Sequence, residues 1–352
     1  MDLLSRTAAL VDMPSVSHGE GPITDHIEAE LRSVEGLTVD RVGDNVVGRT
    51  MLGRATRLVL AGHTDTVPAD GNERARTDGD VLWGCGAADM KGGLAVMLAL
   101  ATSMSEPVVD VTYAFYAREE VASVHSGLGE IFQQRPELLV GDVALLGEPT
   151  GATLEAGCQG TMRVELTLRG VRAHTARPWM GRNAIHRLGA LLAHLDDRQD
   201  WRRVVIEGCE FREATSAVLV GGGVAANVVP DEVTLTLNHR FAPDRSPAEA
   251  EASLREDLGA FVDADDGWRL VDVAGAAAPG LEHPLLRALI ERNRLAVRAK
   301  LGWTDVARFA AHGIPASNFG PGDAEVAHTP EERVTRDQLE RCYVALADLV
   351  TS

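Results

Sequence analysis

Two periods of hydrophobicity alternate along the first part of the chain. Apolar residues at helical spacing open it over Leu3–Val11 and return near Ile23–Arg32, and LTVDRVGDNVVGRT follows with the pattern of a strand pair. Three apolar runs then read as buried strands: TRLVLAG, VDVTYAFYA and DVALLGEPT. Between the first two, DMKGGLAVMLALATSM predicts a helix from about Met90. Alternation of this kind builds an α/β domain whose sheet is mostly parallel, with helices on both faces. Ligands of such sheets gather at the carboxyl ends of the strands.

The pattern changes from about Gly160. TMRVELTLRG reads as a strand, RNAIHRLGALLAHL as a helix, SAVLVGG and DEVTLTLNHRF as strands, SPAEAEASLREDLGAFV as a helix and WRLVDVAG as a strand. That order, βαββαβ, is ferredoxin-like. After AAAPGLEHP the α/β pattern resumes, with a helix near Leu285–Val297, a strand and turn in GIPASNFGPG, and a closing helix from about Thr335. The expectation is a discontinuous domain, 1–159 and 276–352, with a small domain, 160–275, inserted into it.

Charge and cysteine usage narrow the partners. The 352 residues carry a net charge of −18 and no block of Lys or Arg, which argues against nucleic acid. No apolar run reaches membrane-spanning length, and MDLLSRTAALVDMPS lacks the layout of a secretory leader. Cys85, Cys158, Cys209 and Cys342 lie far apart without a C-x-x-C, as suits reduced thiols in the cytoplasm better than a disulfide framework or a thiolate zinc site.

Each of the three central strands ends in a side chain able to bind a metal: His63 and Asp65 in GHTD, Glu119 and Glu120 in AREE, Glu148 in GEP. Asp89 lies between WGCGAA and a helix start. Taken singly, each has an ordinary explanation as loop histidine, helix cap or surface acid. Brought to one sheet edge, however, the acids would repel one another unless a cation sat among them. His63 reads as a direct ligand, and Asp65 as the acceptor of its second ring N–H. Imidazole and carboxylate donors without thiolate favour zinc in an open catalytic site, with manganese or cobalt as substitutes.

GHTDTVP, GCGAADMKGG, REE, GEPT, LRGVRAHTARP and GPGDAEVAHTPEE follow one another over nearly the whole chain. In this order they resemble the di-zinc aminoacylase and carboxypeptidase family. The resemblance implies a zinc-exopeptidase-like catalytic domain, a lid and dimerisation domain inserted in it, two Zn2+ per subunit and a homodimer. Asp89 would bridge the metals, one completed by His63 and Glu148, the other by Glu120 and His328, and the peptide after Asp89 would be cis. Glu119 would be the general base, with Asp65 supporting the site and His174 reaching a partner subunit's site to bind the oxyanion. Asn227, Arg240, Thr304 and Gly320 match substrate-holding positions.

The implied substrate is a small anionic N-acyl amino acid, N-succinyl-LL-2,6-diaminopimelate, cleaved at its amide. Acetylornithine deacetylation, another deacylase or dipeptidase activity, and a non-catalytic binding protein on the same fold are the alternatives. Cys158 and Gln159 stand where many relatives that cleave succinyl amides carry two arginines, so succinyl recognition would rest on other residues. Adjacent residues of a strand point to opposite sides. Glu119 and Glu120 are therefore expected to diverge, with Glu120 alone facing a metal.

Overall fold

The computed structural model describes residues 2–104, 106–198 and 202–352. The chain forms two compact units, Met1–Gly157 with Pro279–Ala299 and Arg308–Ser352, and Cys158–Ala278 with Lys300–Ala307. They are the large and the small unit below.

The large unit is built on an eight-stranded mixed sheet. At its centre, strand Arg57–His63 runs parallel to Asp110–Tyr116 on one side and to Val143–Leu146 on the other. Leu58, Val59 and Leu60 face Val111, Thr112 and Tyr113 in register, and all six are buried, as a strand covered on both faces demands. Toward one edge, Leu37–Val42 and Asn45–Thr50 add antiparallel strands. Toward the other, Ala316–Asn318 pairs parallel with Val143–Leu146 and antiparallel with Leu154–Ala156.

Helix Gly92–Ser103 is apolar all round because it packs between the sheet and the helices Leu3–Val11 and Arg336–Thr351. A Cβ on Gly93 would stand 2.3 Å from the Gly147 carbonyl oxygen, so glycine is what lets this helix approach the strand end so closely. The helix expected over Leu285–Val297 runs only over Pro284–Asn293. Arg294 adopts φ 53°, and Val297–Ala299 leaves as a strand parallel to Leu154–Ala156.

In the small unit, Gly160–Arg169, Ala214–Gly222, Glu232–Phe241 and Gly267–Ala274 form an antiparallel sheet. Helices Ala184–Asp197 and Pro247–Leu258 sit between those strands in the chain, in the order β-α-β-β-α-β. Leu188 and Leu191 from one helix and Leu254 and Leu258 from the other close over Met162, Val164, Leu166, Leu235 and Leu237. Among the described residues, no helix is long and apolar enough to cross a membrane.

Candidate metal centre

The parallel register at the centre of the large sheet brings the site together. His63 is paired with Tyr116, and Ala61 with Leu146, so three neighbouring strands finish side by side. Their continuations carry His63, Glu119 with Glu120, and Glu148. Asp89 enters from the turn before helix Gly92–Ser103, where Asp89 and Met90 leave helical geometry and the peptide joining them is cis. His328 arrives from the segment that precedes the last strand and helix.

Three overlapping groups of donor atoms result, each with its atoms within 4.8 Å of one another: His63, Asp89 and Glu148; Asp89, Glu120 and His328; His63, Glu119 and Glu120. Asp89 joins the first two groups through different oxygens. Its Oδ1 lies 2.9 Å from His63 Nε2, and its Oδ2 3.5 Å from His328 Nε2. His328 Nε2 is also 2.8 Å from Glu120 Oε1. The arrangement is that of a carboxylate shared between two imidazole and carboxylate pairs.

Charge in this cluster follows from proximity. Burial works to lower the His63 pKa, yet Asp65 and Asp89 raise it well above the ordinary value. Asp89 and Glu120 bring His328 up to about 10, against a smaller effect of burial. Burial would raise Asp89, but His328 and His63 hold it well below the carboxylate range. Carboxylates packed this way draw positive charge onto their neighbours, and a divalent ion satisfies the same demand without protons. Two imidazoles and several carboxylates with no thiolate fit zinc and comparable borderline ions.

Asp65 does more than its expected task, and by different atoms. The His63 Nδ1 lies 3.0 Å from the Asp65 main-chain oxygen and 3.6 Å from its carboxylate, so the carbonyl is the acceptor that orients the ring. The carboxylate instead accepts from the Glu119 amide at 2.9 Å, the Glu120 amide at 3.1 Å and the Ser17 hydroxyl at 2.7 Å. Although burial pushes Asp65 upward, the His63 charge and these donors bring its pKa down to about 2.

The same clamp corrects the expected divergence of the adjacent glutamates. Arg118 has φ 60°, in the left-handed region, so the extended alternation ends before Glu119. With both following amides tied to one carboxylate, Glu119 and Glu120 each place an oxygen in the cluster around His63.

The remaining expected residues fall outside those groups. Gly320 belongs to the large unit, where a Cβ would meet the Gly147 oxygen at 2.2 Å, and its amide donates to Thr150 Oγ1 at 3.1 Å. Thr304 is a buried member of the small unit. His174 is exposed on a short strand paired with Val228–Val229, and its Nδ1 accepts from the Ala176 amide at 3.0 Å. Asn227 is exposed beside it, with its carbonyl accepting from Thr175. Arg240 is half-buried, and among the described residues it has no carboxylate partner.

Two buried acids escaped the reading of the sequence. Glu332 accepts from the amides of Ala88 and Asp89, both at 3.0 Å, and so holds the turn that presents the shared carboxylate. Glu20 accepts from the Arg118 amide at 3.1 Å. Glu332 lies in the HTPEE stretch already singled out for His328; Glu20 carried no comparable signal.

Residues 59–352 match the model of peptidase family M20/M25/M40. A Mycobacterium tuberculosis protein, provisionally named succinyl-diaminopimelate desuccinylase DapE, is 52% identical over 334 residues, 95% of this chain and 93% of the relative. The succinyl-diaminopimelate desuccinylase of Corynebacterium glutamicum is 45% identical over 347 residues, 96% of this chain and 93% of the relative. Among solved structures, a tripeptidase from Staphylococcus aureus shares the fold, with a TM-score of 0.79 at 20% identity over 99% of this chain and 96% of that one.

Proposed function

The chain belongs to peptidase family M20/M25/M40, and on that premise we propose that it hydrolyses N-succinyl-LL-2,6-diaminopimelate to succinate and LL-2,6-diaminopimelate, in the route to lysine. The observation that carries the reading is the shared Asp89, one oxygen toward His63 and the other toward His328, within the sequence background of relatives bearing that name. Family M20 is metal-dependent, and the two donor groups around Asp89 support two zinc ions per subunit, with cobalt or manganese as substitutes. Bound there, the metals would supply Lewis acidity toward the acyl carbonyl and a water acidic enough to lose a proton near neutral pH.

The chain's own groups divide the remaining work. His63, Asp89 and Glu148 would hold one metal, and Asp89, Glu120 and His328 the other. Glu119, in reach of the cluster but outside the two groups around Asp89, would take a proton from the water whose oxygen bonds to the acyl carbon, and deliver it to the departing amine as the carbon–nitrogen bond breaks. The Ala176 amide donates to His174 Nδ1, which leaves the ring N–H of the neutral imidazole on Nε2. That outward donor suits an oxyanion in a partner subunit. Arg240, with Asn227, Thr304 and Gly320, would hold the substrate's anionic groups and acyl chain.

The small unit serves as lid and dimerisation domain. Its edge strand Ala214–Gly222 exposes Val218, Leu219 and Val220 in succession, and Ile185 and Leu192 are exposed on the adjoining helix Ala184–Asp197. An unpaired apolar edge of this kind is a template for pairing with a second copy. Four buried free cysteines suit the cytoplasm, and the net charge of −18 disfavours nucleic acid.

One observation favours a second reading, release of a different acyl group as in acetylornithine deacetylation. Cys158 is buried and Gln159 donates its side-chain amide to the Arg212 carbonyl at 2.7 Å, so neither offers the cation that a succinyl carboxylate would seek. Paired N-succinyl and N-acetyl substrates on the zinc-loaded enzyme separate the readings. We expect kcat/KM for N-succinyl-LL-2,6-diaminopimelate to exceed that for its acetyl counterpart by at least about 100-fold. Equal or reversed values would move the assignment to the second reading.

A further inference from the structure

The N-terminal segment Ser15–Glu20 supplies none of the metal donors, yet it touches both loops that carry them. Its backbone pairs with the loop after His63: Ser17 donates to the Thr66 carbonyl at 3.2 Å, and Thr66 donates to the Ser15 carbonyl at 3.0 Å. The Ser15 hydroxyl donates to the Thr64 carbonyl at 2.7 Å. From this anchored segment the Ser17 hydroxyl reaches the Asp65 carboxylate at 2.7 Å, and Glu20 reaches the Arg118 amide at 3.1 Å.

Glu20 is fully buried, and its second carboxylate oxygen, also buried, has no hydrogen-bond partner among the described residues. A carboxylate so placed is costly and contributes to folding only weakly. What it does locally is complete a row. Three consecutive amides, of Arg118, Glu119 and Glu120, all donate to buried carboxylates, the first to Glu20 and the other two to Asp65. Successive amides turned to one side by a left-handed residue form a concavity that holds anions. Arg118, at φ 60°, is that residue. With the amides held on one side, the Glu119 and Glu120 side chains are directed to the cluster.

We propose that Ser17 and Glu20 are positioning residues for the general base: Glu20 fixes the left-handed turn at Arg118, and Ser17 orients the Asp65 carboxylate that fixes the next two amides. The inference rests on Glu119 as the proton acceptor. Its signature is a loss in kcat with substrate affinity retained and zinc still bound, because Glu119 depends on the turn alone for its aim, whereas the donor group that includes Glu120 keeps Asp89 and His328.

The test uses the full-length zinc-loaded enzyme, with kcat, KM, zinc per subunit and Tm measured for each variant. Glu20→Ala should lower kcat by about 10- to 100-fold, the scale of a misplaced catalytic group, with KM changed by less than about threefold and zinc unchanged. Glu20→Gln keeps an oxygen for the Arg118 amide and should recover most of the loss. Ser17→Ala should lower kcat by about 3- to 10-fold. The double variant should fall short of the product of the two losses, since both act on one turn. Wild-type kcat in Glu20→Ala, or a loss that appears in KM or zinc content alone, overturns the proposal. Should Glu20→Ala not fold, Ser17→Ala decides: reduced kcat at unchanged Tm supports the assignment, and wild-type kcat overturns it. Glu119→Gln is the control that separates the two readings. Wild-type turnover there removes the general base itself, whereas an inert Glu119→Gln beside a fully active Glu20→Ala removes only the positioning role.

Discussion

In the large unit, charged groups are carried into the interior: His63, Asp65, Glu20 and Glu332 are buried, and Asp89 and Glu120 are partly so. In the small unit, most charged groups of the sheet stay at the surface, in pairs such as Arg163 with Asp272 at 3.0 Å, Arg169 with Glu232 at 3.0 Å and Arg269 with Glu165 at 2.8 Å. Exposed pairs contribute little to stability, and the small unit's core is almost wholly aliphatic. The difference is one of degree: the large unit holds Asp65, Glu20 and Glu332 on backbone amides beside the candidate metal donors, whereas the small unit buries few charged groups, Glu213 and Asp305 among them, and exposes an apolar row on its edge strand.

The largest expected effect breaks the large unit's division of labour. Glu119→Gln should reduce kcat by about 10²–10⁴-fold while leaving the metal content intact. Glu120→Gln, one residue on, should lose metal from one of the two sites, measured by metal analysis after dialysis. If both variants lost metal equally, the two glutamates would share one role and the assignment of Glu119 as base would fail.

A smaller effect tests the small unit's edge. Leu219→Glu places a carboxylate in the exposed apolar row of strand Ala214–Gly222 and should shift the proposed dimer to monomer in sedimentation. Turnover should fall with it, since His174 is proposed to act on a partner's site. A monomer with undiminished kcat would retain the metal centre and remove the trans role of His174.

How much of this was legible in the sequence depended on the range of the deciding contact. The strands that end in His63, Glu119 and Glu148 announce themselves by continuous apolar runs, and their parallel pairing follows from the βα alternation. Asp89 entered the candidate donors from its place before a helix, but its shared role, and His328 altogether, were reached only through motif resemblance, because nothing local marks them as ligands. The direction of Glu119 and Glu120 was not legible, since it is set by Asp65 and Glu20, 54 and 98 residues away from the amides they hold. Glu20 and Glu332 look like surface acids in a loop, and only long-range packing buries them. Arg294 ends its helix in a left-handed conformation without the glycine that normally signals it, which explains the overlong helix expected there.

Acid sharpens the contrast between the units. His63 and His328 of the large unit are pushed upward by carboxylates, whereas His239 of the small unit is pushed down. It is 4% exposed on strand Glu232–Phe241, with Nδ1 2.8 Å from Thr215 Oγ1 and a buried Nε2 that has no hydrogen-bond partner among the described residues. Burial, then the charges of Arg245 and Arg198, bring its pKa to about 4, against a weaker opposing bond to the Ala214 backbone. Once unfolded, the imidazole takes up its proton near about 6.5. Between these two values the unfolded chain binds more protons, so stability is complete above the higher one and falls as pH drops toward the lower. The full loss is about 3 kcal/mol. Urea melts at about pH 7 and about pH 4.5 should therefore show a smaller loss in His239→Gln than in the wild type, by about 2 to 3 kcal/mol. Equal losses would mean that His239 is reached by water and protonated without unfolding, and that the small unit's interior is less dry than its aliphatic packing implies.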